Sequence, residues 1–468
     1  MIKKSLVFLS ISAAFFAQAQ DATVIRNSVD VYGNSSLNGS SKYNAMAGSM
    51  GALGGDVSVL NSNPAGIGVS IAGDISGTLS IGNSQNTTTF GGSSYVDKTN
   101  KTDLGQVGAT AVFEISKQSP WKFVNIGVNY SNQSIDDYNE TPGNQNVTFD
   151  IDNGADKAMF DGHAYNRSGD LSKMSLGVGA NYDNRIYVGA GLNFHGSTLN
   201  QYDTARMVYA SDNASEIFNK QYTPYYEEGT GFSASVGVIG KVNNQFRLGA
   251  AIETPTWWNI DRAYQYYDKA DAANDGQYSE NQKFTSPMKA TLSAAFVPSK
   301  NLALNVDYSL GLTKPKFSHD SQDVETELNN FYDANYKSIS EVKVGAEYRI
   351  QQFRLRGGYG FASSPFNSSE AISVINTSGA NASQAFDDLY VGKRNTVGAG
   401  IGYDFKSFYI DAAYQNVSST YSSPFMKGST TAGTEYYSDT AYIGSDASIV
   451  SEVKNKQNNI FFTLGWKF

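Results

Sequence analysis

The sequence has 468 residues, a formal net charge of −9 and no cysteine. The lack of cysteine excludes a lipid-anchored lipoprotein, a disulfide framework, thiolate metal sites and cysteine nucleophiles, and the acidic balance argues against nucleic-acid binding. Glycine (45), tyrosine (30) and phenylalanine (26) are plentiful whereas proline (10) and histidine (3) are scarce, which favours an all-β fold.

Residues 1–19 are predicted to be a secretory signal peptide. Lys3 and Lys4 precede an apolar run, and the run ends in small residues typical of a cleavage site. No later apolar run reaches the roughly 18 residues that a spanning helix needs, and the mean hydropathy is −0.36. A membrane-spanning form of this chain would therefore have to be a closed barrel.

Residues 20–69 are rich in small side chains and alternate too weakly to form a pair of strands. Such a segment at the turn side of a barrel can fold inward and occlude the lumen. We expect residues 20–69 to form an N-terminal hatch. A loose periplasmic tail is the alternative that the sequence leaves open.

Strands are predicted from a period-two alternation along the rest of the chain. In the last segment Trp466, Leu464 and Phe462 share one face, and polar or small residues lie between them. The same split recurs in residues 185–195 and 301–310. The fourteen candidate strands lie near residues 71–81, 104–116, 121–131, 171–182, 185–195, 231–241, 245–253, 287–297, 300–311, 338–350, 352–361, 393–405, 407–417 and 457–468.

The lengths of the connections distinguish a membrane barrel from a soluble sandwich. Each even strand runs into a short turn, whereas each odd strand runs into a polar connection of about 20 to 40 residues. Short turns on one rim and long loops on the other are the plan of an outer-membrane barrel. We predict an all-β, transmembrane antiparallel β-barrel of about 14 strands over residues 70–468, in a Gram-negative outer membrane with both termini periplasmic.

A motif precedes the first strand. Gly54-Gly55-Asp56 is followed by Asn63-Pro64-Ala65-Gly66 within a glycine-rich stretch. Together with the strand count and the terminal Phe468, this stretch resembles the N-terminal signature of the FadL/TodX family of outer-membrane transporters for hydrophobic compounds. The resemblance covers nearly the whole chain.

The resemblance implies passive uptake of hydrophobic small molecules, with long-chain fatty acids as the leading class. It places Asn63, Pro64, Ala65 and Gly66 in a hatch motif and implies capture by the outer loops, binding in the lumen and sideways release through a gap in the wall. The corresponding loops are residues 198–230 and 254–285. Their candidate capture residues are Trp257, Trp258, Tyr264, Tyr225 and Tyr226.

Two features of this expectation stay open at the level of sequence. Trp257 and Trp258 suit an aromatic belt at the membrane interface as well as a capture groove. The third strand, where the resemblance implies a wall-opening kink, has Gly127 but no proline and reads as an ordinary strand.

No catalytic, metal or cofactor site is predicted, and we expect no enzyme. His163, His195 and His319 lie far apart, with His195 the only one in a predicted strand, and no elbow, P-loop or dinucleotide fingerprint occurs. The expected partners are a hydrophobic ligand and outer-membrane lipid, with no nucleic acid, and a protein partner is not indicated. The alternatives are an accessory barrel that binds exported proteins in secretion or as a receptor, and a polar porin whose inward carboxylates, such as Asp307, Asp404 and Asp411, would favour cations.

Overall fold

The computed structural model describes residues 22–33, 38–115, 118–151, 156–268, 271–374, 380–426, 435–444 and 447–468. The predicted signal peptide lies outside these ranges.

Most of the described chain is antiparallel β-structure. Its strands are β1 (Asp74–Phe90), β2 (Ser93–Glu114), β3 (Trp121–Ser134), β4 (Asp137–Ile151), β5 (Asp156–Tyr182), β6 (Ile186–Tyr209), β7 (Ser215–Lys220), β8 (Tyr225–Lys241), β9 (Phe246–Glu253), β10 (Trp257–Tyr266), β11 (Gly276–Thr285), β12 (Lys289–Phe296), β13 (Leu302–Gly311), β14 (Lys316–His319), β15 (Ser340–Ile350), β16 (Phe353–Ala362), β17 (Ser369–Val374), β18 (Asn381–Phe386), β19 (Arg394–Asp404), β20 (Phe408–Met426), β21 (Tyr436–Tyr437), β22 (Tyr442–Ile443) and β23 (Ser448–Lys467).

Helical segments are short. They are α1 (Ala22–Asn27), which continues into a π-helical turn (Ser28–Tyr32), α2 (Ser41–Ala45), three 3-10 turns (Val57–Asn61, Pro64–Val69 and Ala272–Asn274) and α3 (Gln322–Asn335). Among the described residues, none of the helices is long and apolar enough to cross a membrane.

The sheet closes on itself. Antiparallel pairing passes from β1 through β2, β3, β5, β6, β8, β9, β12, β13, β15, β16, β19 and β20 to β23, and β23 pairs back with β1. Closure removes the unpaired strand edges that an open sheet would expose. The result is a β-barrel.

The two faces of this ring have opposite chemistry, as the period-two pattern predicts. Apolar side chains such as Leu176, Val188 and Leu464 are exposed on the outer face. Polar side chains such as Asn125 and Asn305 point inward and are buried. An apolar exterior around a polar interior is the arrangement expected of a barrel in a bilayer.

Every predicted strand overlaps a strand of the ring, but the expected long loops are largely paired. Residues 82–103, predicted as a loop, continue β1 and β2 as one hairpin that turns at Gly91 and Gly92, both with positive φ. Apart from Phe90, Tyr95 and Val96 their side chains are small or polar on both faces, so hydrophobic alternation could not mark them as strands. Backbone pairing, which has no sequence signature, extends the ring outward there.

The connections on the loop side form a layer above the barrel. Strands β4, β7, β21 and β22 join the upper ends of the ring strands. Together with the loop-side ends of the ring strands they form a hydrophobic cluster that includes Phe90, Phe160, Phe218, Phe425 and Tyr436. The loop layer therefore has a core of its own.

Candidate ligand-binding site

Residues 38–69 lie inside the ring and form its floor on the turn side. Their contacts reach strands on all sides: Ser41 N donates to Thr463 Oγ1 on β23 (2.8 Å), Asn125 on β3 donates to Ile67 O (2.7 Å), and Ser49 Oγ donates to Asn305 O on β13 (3.1 Å). A segment held from opposite walls cannot shift as a unit without breaking several of these bonds at once.

The predicted motif is the turn that fixes this floor. Asn63 caps the 3-10 turn by accepting a bond from Ala65 N (3.1 Å) through Oδ1, and its Nδ2 donates to Gly51 O (2.7 Å). Pro64 occupies the first turn, where its missing N–H costs nothing. A Cβ on Gly66 would lie 2.6 Å from Val59 Cγ2, so only glycine fits there.

Glycines of the wall make room for the floor. A Cβ on Gly358 would lie 2.3 Å from the carbonyl carbon of Met46, and one on Gly398 would lie 2.5 Å from Ala45 O. Both residues face inward, so the floor backbone rests directly on the strands. Close packing against the floor therefore explains Gly358 and Gly398.

Asp307 has a structural role in this floor. Its carboxylate accepts bonds from Met50 N (2.9 Å) and Gly51 N (3.1 Å). Asp411 forms an ion pair with Arg356 at 2.8 Å. Asp404 pairs with Lys467 at 2.7 Å and with Arg354 at 3.2 Å. All three inward carboxylates are occupied by protein partners, which removes the sequence argument for a cation-preferring pore.

Residues 22–33 lie higher in the lumen, among the loop-side ends of the strands. Arg26 pairs with Asp137 of β4, and Arg167 of β5 pairs with Asp30 at 2.6 Å. Burial opposes ionisation of Asp30, but the Arg167 guanidinium outweighs it and holds the pKa of Asp30 below its ordinary value. Charged side chains thus tie this part of the chain to the wall.

A cavity of about 110 Å³ separates residues 22–33 from the wall. Its apolar lining includes Val29, Tyr32, Leu171, Trp258 and Tyr336. The Trp258 indole N–H donates to Tyr32 O at 3.1 Å, and the two rings meet edge to face at 5.2 Å. The N-terminal chain and β10 thus build one aromatic wall together.

Ionisable side chains line the opposite part of this cavity. Lys173 stands beside His195 in the β5–β6 register, and Glu253 stands beside Lys289 in the β9–β12 register. Glu253 is shared by Lys173 Nζ (3.1 Å) and Lys289 Nζ (3.4 Å). The cavity is therefore amphipathic.

A second, more polar cavity of about 200 Å³ lies beside the first. Asp30, Lys289, Glu341 and Arg394 line both cavities. Glu341 is shared by Lys343 Nζ (2.9 Å) and Arg394 Nη2 (3.6 Å). At the junction, Glu253 and Glu341 each lie between two cations. Asp30, the third carboxylate there, pairs with Arg167.

The five predicted capture residues do not form one surface. Trp258, Tyr225 and Tyr264 point inward and are buried, whereas Trp257 (49% exposed) and Tyr226 point outward. Trp257 stacks on Phe232 of the outer face at 6.3 Å. Adjacent residues of a strand point to opposite faces, so Trp257 takes the belt position and Trp258 the lumen position.

Of these five, the cavity lining includes only Trp258. Sequence reasoning missed Tyr32, Lys173, Glu253 and Lys289. The last three carried a signal, because each is a charged residue at an inward position of a predicted strand. Tyr32 carried none, since residues 22–33 have no periodic pattern that places them in the lumen.

The histidines also differ from expectation. His163 and His319, placed in loops by the sequence, lie on β5 and β14. His163 Nε2 lies 2.7 Å from Asp203 Oδ1, and its ring stacks on Phe425 at 3.9 Å. Within the described ranges, no group of three or more His, Asp or Glu side chains could hold a metal ion.

The structure defines a closed antiparallel barrel with an apolar outer face and its own N-terminal chain folded inside. This is the FadL-like barrel fold. The crystal structure of a Pseudomonas aeruginosa FadL homologue matches with a TM-score of 0.59 at 11% sequence identity, over 92% of this chain and 98% of that chain.

Two further solved structures match over 92% of this chain. The P. putida toluene transporter TodX has a TM-score of 0.54 at 12% identity, and the Ralstonia pickettii toluene transporter TbuX has 0.52 at 13%, each over 99% of its own length. The sequence matches no protein-family model and no curated protein. The likeness to the FadL and TodX type expected from the sequence is thus confirmed in the fold.

Proposed function

We propose that this chain is an outer-membrane barrel that passively takes up hydrophobic small molecules, with long-chain fatty acids as the leading class. The solved structures that share its fold are described as a FadL homologue and as toluene transporters. The observation that carries the proposal is the amphipathic cavity between Tyr32, Trp258 and the wall. A concave, largely apolar site with a few polar groups is the usual form of a small-molecule site.

The cations at the junction of the two cavities favour an acid over a neutral hydrocarbon. Lys289 and Arg394 line both cavities, with Lys289 Nζ at 3.4 Å from Glu253 and Arg394 Nη2 at 3.6 Å from Glu341. Either cation would donate to a ligand carboxylate, whose tail would lie against Trp258 and Leu171.

The proposal includes the organisation of the chain. The fourteen strands of the ring would span the membrane as residues 70–468, residues 20–69 would be the hatch, and residues 1–19 would be removed on export. The terminal Phe468 lies at the turn rim, where Gly73 N donates to its backbone oxygen (2.8 Å), and that rim would face the periplasm. Residues 22–33 lie in the loop-side half of the lumen, which does not fit the expectation that both termini are periplasmic. We therefore propose the periplasmic side for the C-terminus alone.

Release would be sideways, as the resemblance implies, and would need strands to separate. β3 pairs with β2 from Phe123 to Ser131, and with β5 along its length apart from one register shift near Trp121. A disulfide between Val128→Cys and Leu176→Cys would join β3 to β5, and no other thiol would compete because the natural chain has no cysteine. We expect this disulfide to abolish uptake, whereas the control pair Val306→Cys and Val344→Cys on β13 and β15 leaves it unchanged.

The first experiment is mass spectrometry of lipids extracted from the detergent-purified barrel, combined with uptake of a labelled long-chain fatty acid by cells with and without the gene. Co-purified fatty acid and gene-dependent uptake are the expected results. An empty barrel with unchanged uptake would contradict the proposal.

One observation favours the accessory barrel as a second candidate. In the described pairings, residues 93–105 of β2 are joined to β1 alone, and Tyr95 and Val96 are exposed there. A strand edge of this kind can accept a strand from another protein. Stable co-purification of an exported protein that is lost on Val96→Pro would favour this candidate.

A further inference from the structure

The outer face of β1, β2, β20 and β23 changes chemistry in ordered rows towards the loop side. Apolar Ile81 of β1 stands beside Ile460 of β23, which stands beside Tyr414 of β20. These three side chains are exposed and end the apolar belt on this part of the barrel.

The next outward-facing row consists of amides. Asn83 stands between Asn100 and Asn458, and Asn416 follows on β20. Asn83 Nδ2 donates to Asn100 Oδ1 (2.7 Å), and Asn416 Nδ2 donates to Asn458 Oδ1 (2.9 Å). Two residues along a strand span about 7 Å, so this row begins the polar boundary.

The row above it is basic. Gln85 of β1 stands between Lys98 of β2 and Lys456 of β23. Both lysines are exposed, and neither forms an ion pair with a described residue. Lys454 lies one row higher, 57% exposed, with Glu452 at 2.8 Å.

Another part of the barrel, on β8 and β10, carries the reverse charge at the same number of residues beyond the apolar belt. Phe232 and Trp257 end the apolar belt on β8 and β10, and four residues further along come Glu228 and Asp261, which stand side by side. Both carboxylates are exposed. Lys283 of β11 is one row closer to the belt. The basic patch on β1, β2 and β23 is therefore local and is not a general feature of the rim.

We propose that Lys98, Lys456 and Lys454 bind the phosphate groups of an anionic lipid in the leaflet on the loop side. The inference rests on the proposed insertion of the barrel in an outer membrane. Lysines just beyond an apolar belt extend their ammonium groups to the headgroup level. The strands of Lys98 and Lys456 are separated by β1, so their backbones lie about 10 Å apart, a spacing that suits two phosphates or one shared headgroup.

A lipid suits this face because the amide row and the lysines follow directly on the apolar belt along the same strands. Acyl chains would cover Ile81 and Ile460, sugar or glycerol hydroxyls would meet the amide row, and phosphates would meet the lysines. A soluble anion would gain only the last contact.

Native mass spectrometry of the full barrel tests the proposal. The probe is a lipid A carrying two phosphates, compared with the same lipid after removal of both phosphates. We expect the wild type to retain the phosphorylated form selectively. The variant Lys98→Gln with Lys456→Gln should bind it at least about tenfold more weakly, whereas Glu228→Gln with Asp261→Asn should leave the affinity unchanged or raise it.

Folding of each variant is checked by the mobility of the unheated barrel in electrophoresis, and these exposed lysines should not affect it. Equal retention of both lipid forms, or full retention by the lysine variant, would overturn the proposal. Fatty-acid uptake is measured in parallel. If that uptake is absent while lipid A selectivity persists, the proposed transport function fails and the lipid site stands.

Discussion

The two parts of the N-terminal chain are held in the barrel by different physics. Residues 38–69 rest on wall glycines and are fixed mainly by bonds from backbone groups and short amide or hydroxyl side chains, together with the Asp307 carboxylate. Residues 22–33 are held by charged pairs and by aromatic contact with Trp258. The first mode leaves little space between the chain and the wall glycines, and the floor borders only the polar cavity, whereas the second mode leaves the amphipathic cavity beside the chain.

This difference assigns different roles to the two parts. Close backbone packing makes residues 38–69 a permanent floor, because any displacement breaks many contacts together. Residues 22–33 touch the cavity directly through Val29 and Tyr32, so their position determines its size. Ligand binding should therefore depend on the upper part and barrel integrity on the lower part.

The largest expected effect on stability comes from a side chain added to the wall where residues 38–69 rest on it. In Gly358→Val the new Cβ would collide with the Met46 backbone, and we expect a loss of more than about 3 kcal/mol of stability. Thermal unfolding of the purified barrel measures it. Gly357→Val is the matched control, since a Cβ there has only Gly398 O at 3.8 Å. Equal melting temperatures for the two variants would contradict the packing argument.

A smaller, local effect is expected at the upper part. Arg26→Gln leaves the buried Asp137 carboxylate without its cation, at a cost of about 2 kcal/mol. Hydrogen exchange should then accelerate in residues 22–33 and stay slow in residues 38–69. If both parts lost protection together, they would form a single unit.

Substitutions of the two neighbouring tryptophans should have different effects on ligand affinity. Trp258→Ala removes an aromatic wall of the cavity, and we expect binding of a long-chain fatty acid to weaken about tenfold, equivalent to about 1.4 kcal/mol. Calorimetric titration of the purified barrel measures this. Trp257→Ala, on the outer face, should leave the affinity unchanged, and an equal loss in both variants would point to an indirect effect.

The smallest effect is a pH dependence of the upper part. Because the pKa of Asp30 is held below its ordinary value of 3.8, its pairing with Arg167 stabilises residues 22–33 above that pH and is lost as the pH falls further. The protection factor of this segment, which is the intrinsic exchange rate at each pH divided by the observed rate, should therefore be constant from neutral pH to about 5 and fall below about 4. In Asp30→Asn this fall should disappear, and its persistence would assign the effect to another group.

The sequence predicted the ring well because a barrel wall has one apolar and one polar face. Alternation in segments such as residues 185–195 reflects that requirement directly, and the glycine-rich stretch before β1 predicted a segment in the lumen. The hairpin of residues 82–103 was missed, since its inward face buries mainly polar side chains such as Asn86 and Thr88, and strands that are polar on both faces carry no hydrophobic alternation.

The binding site was predicted only in part. The aromatic side chains in the segment 254–285 indicated Trp258. However, a shift of the strand by one residue exchanges the side chains that face lipid with those that face the lumen, and the sequence did not fix this position. Lys173 and Glu253 become neighbours only when β5 and β9 curve around the same lumen, which is a long-range property of the closed ring. Tyr32 reaches the cavity through charged contacts that no local pattern records.

The most direct test of the cavity uses its own tryptophan. A variant with Trp121→Phe, Trp257→Phe and Trp466→Phe keeps Trp258 alone, and a second variant with Trp121→Phe, Trp258→Phe and Trp466→Phe keeps Trp257 alone. A long-chain fatty acid brominated on its chain quenches only tryptophans that it contacts. Saturable quenching of Trp258, with no saturable component at Trp257, is the result predicted here. Saturable binding that quenches Trp257 and leaves Trp258 unchanged would place the ligand on the outer face and contradict a lumenal site.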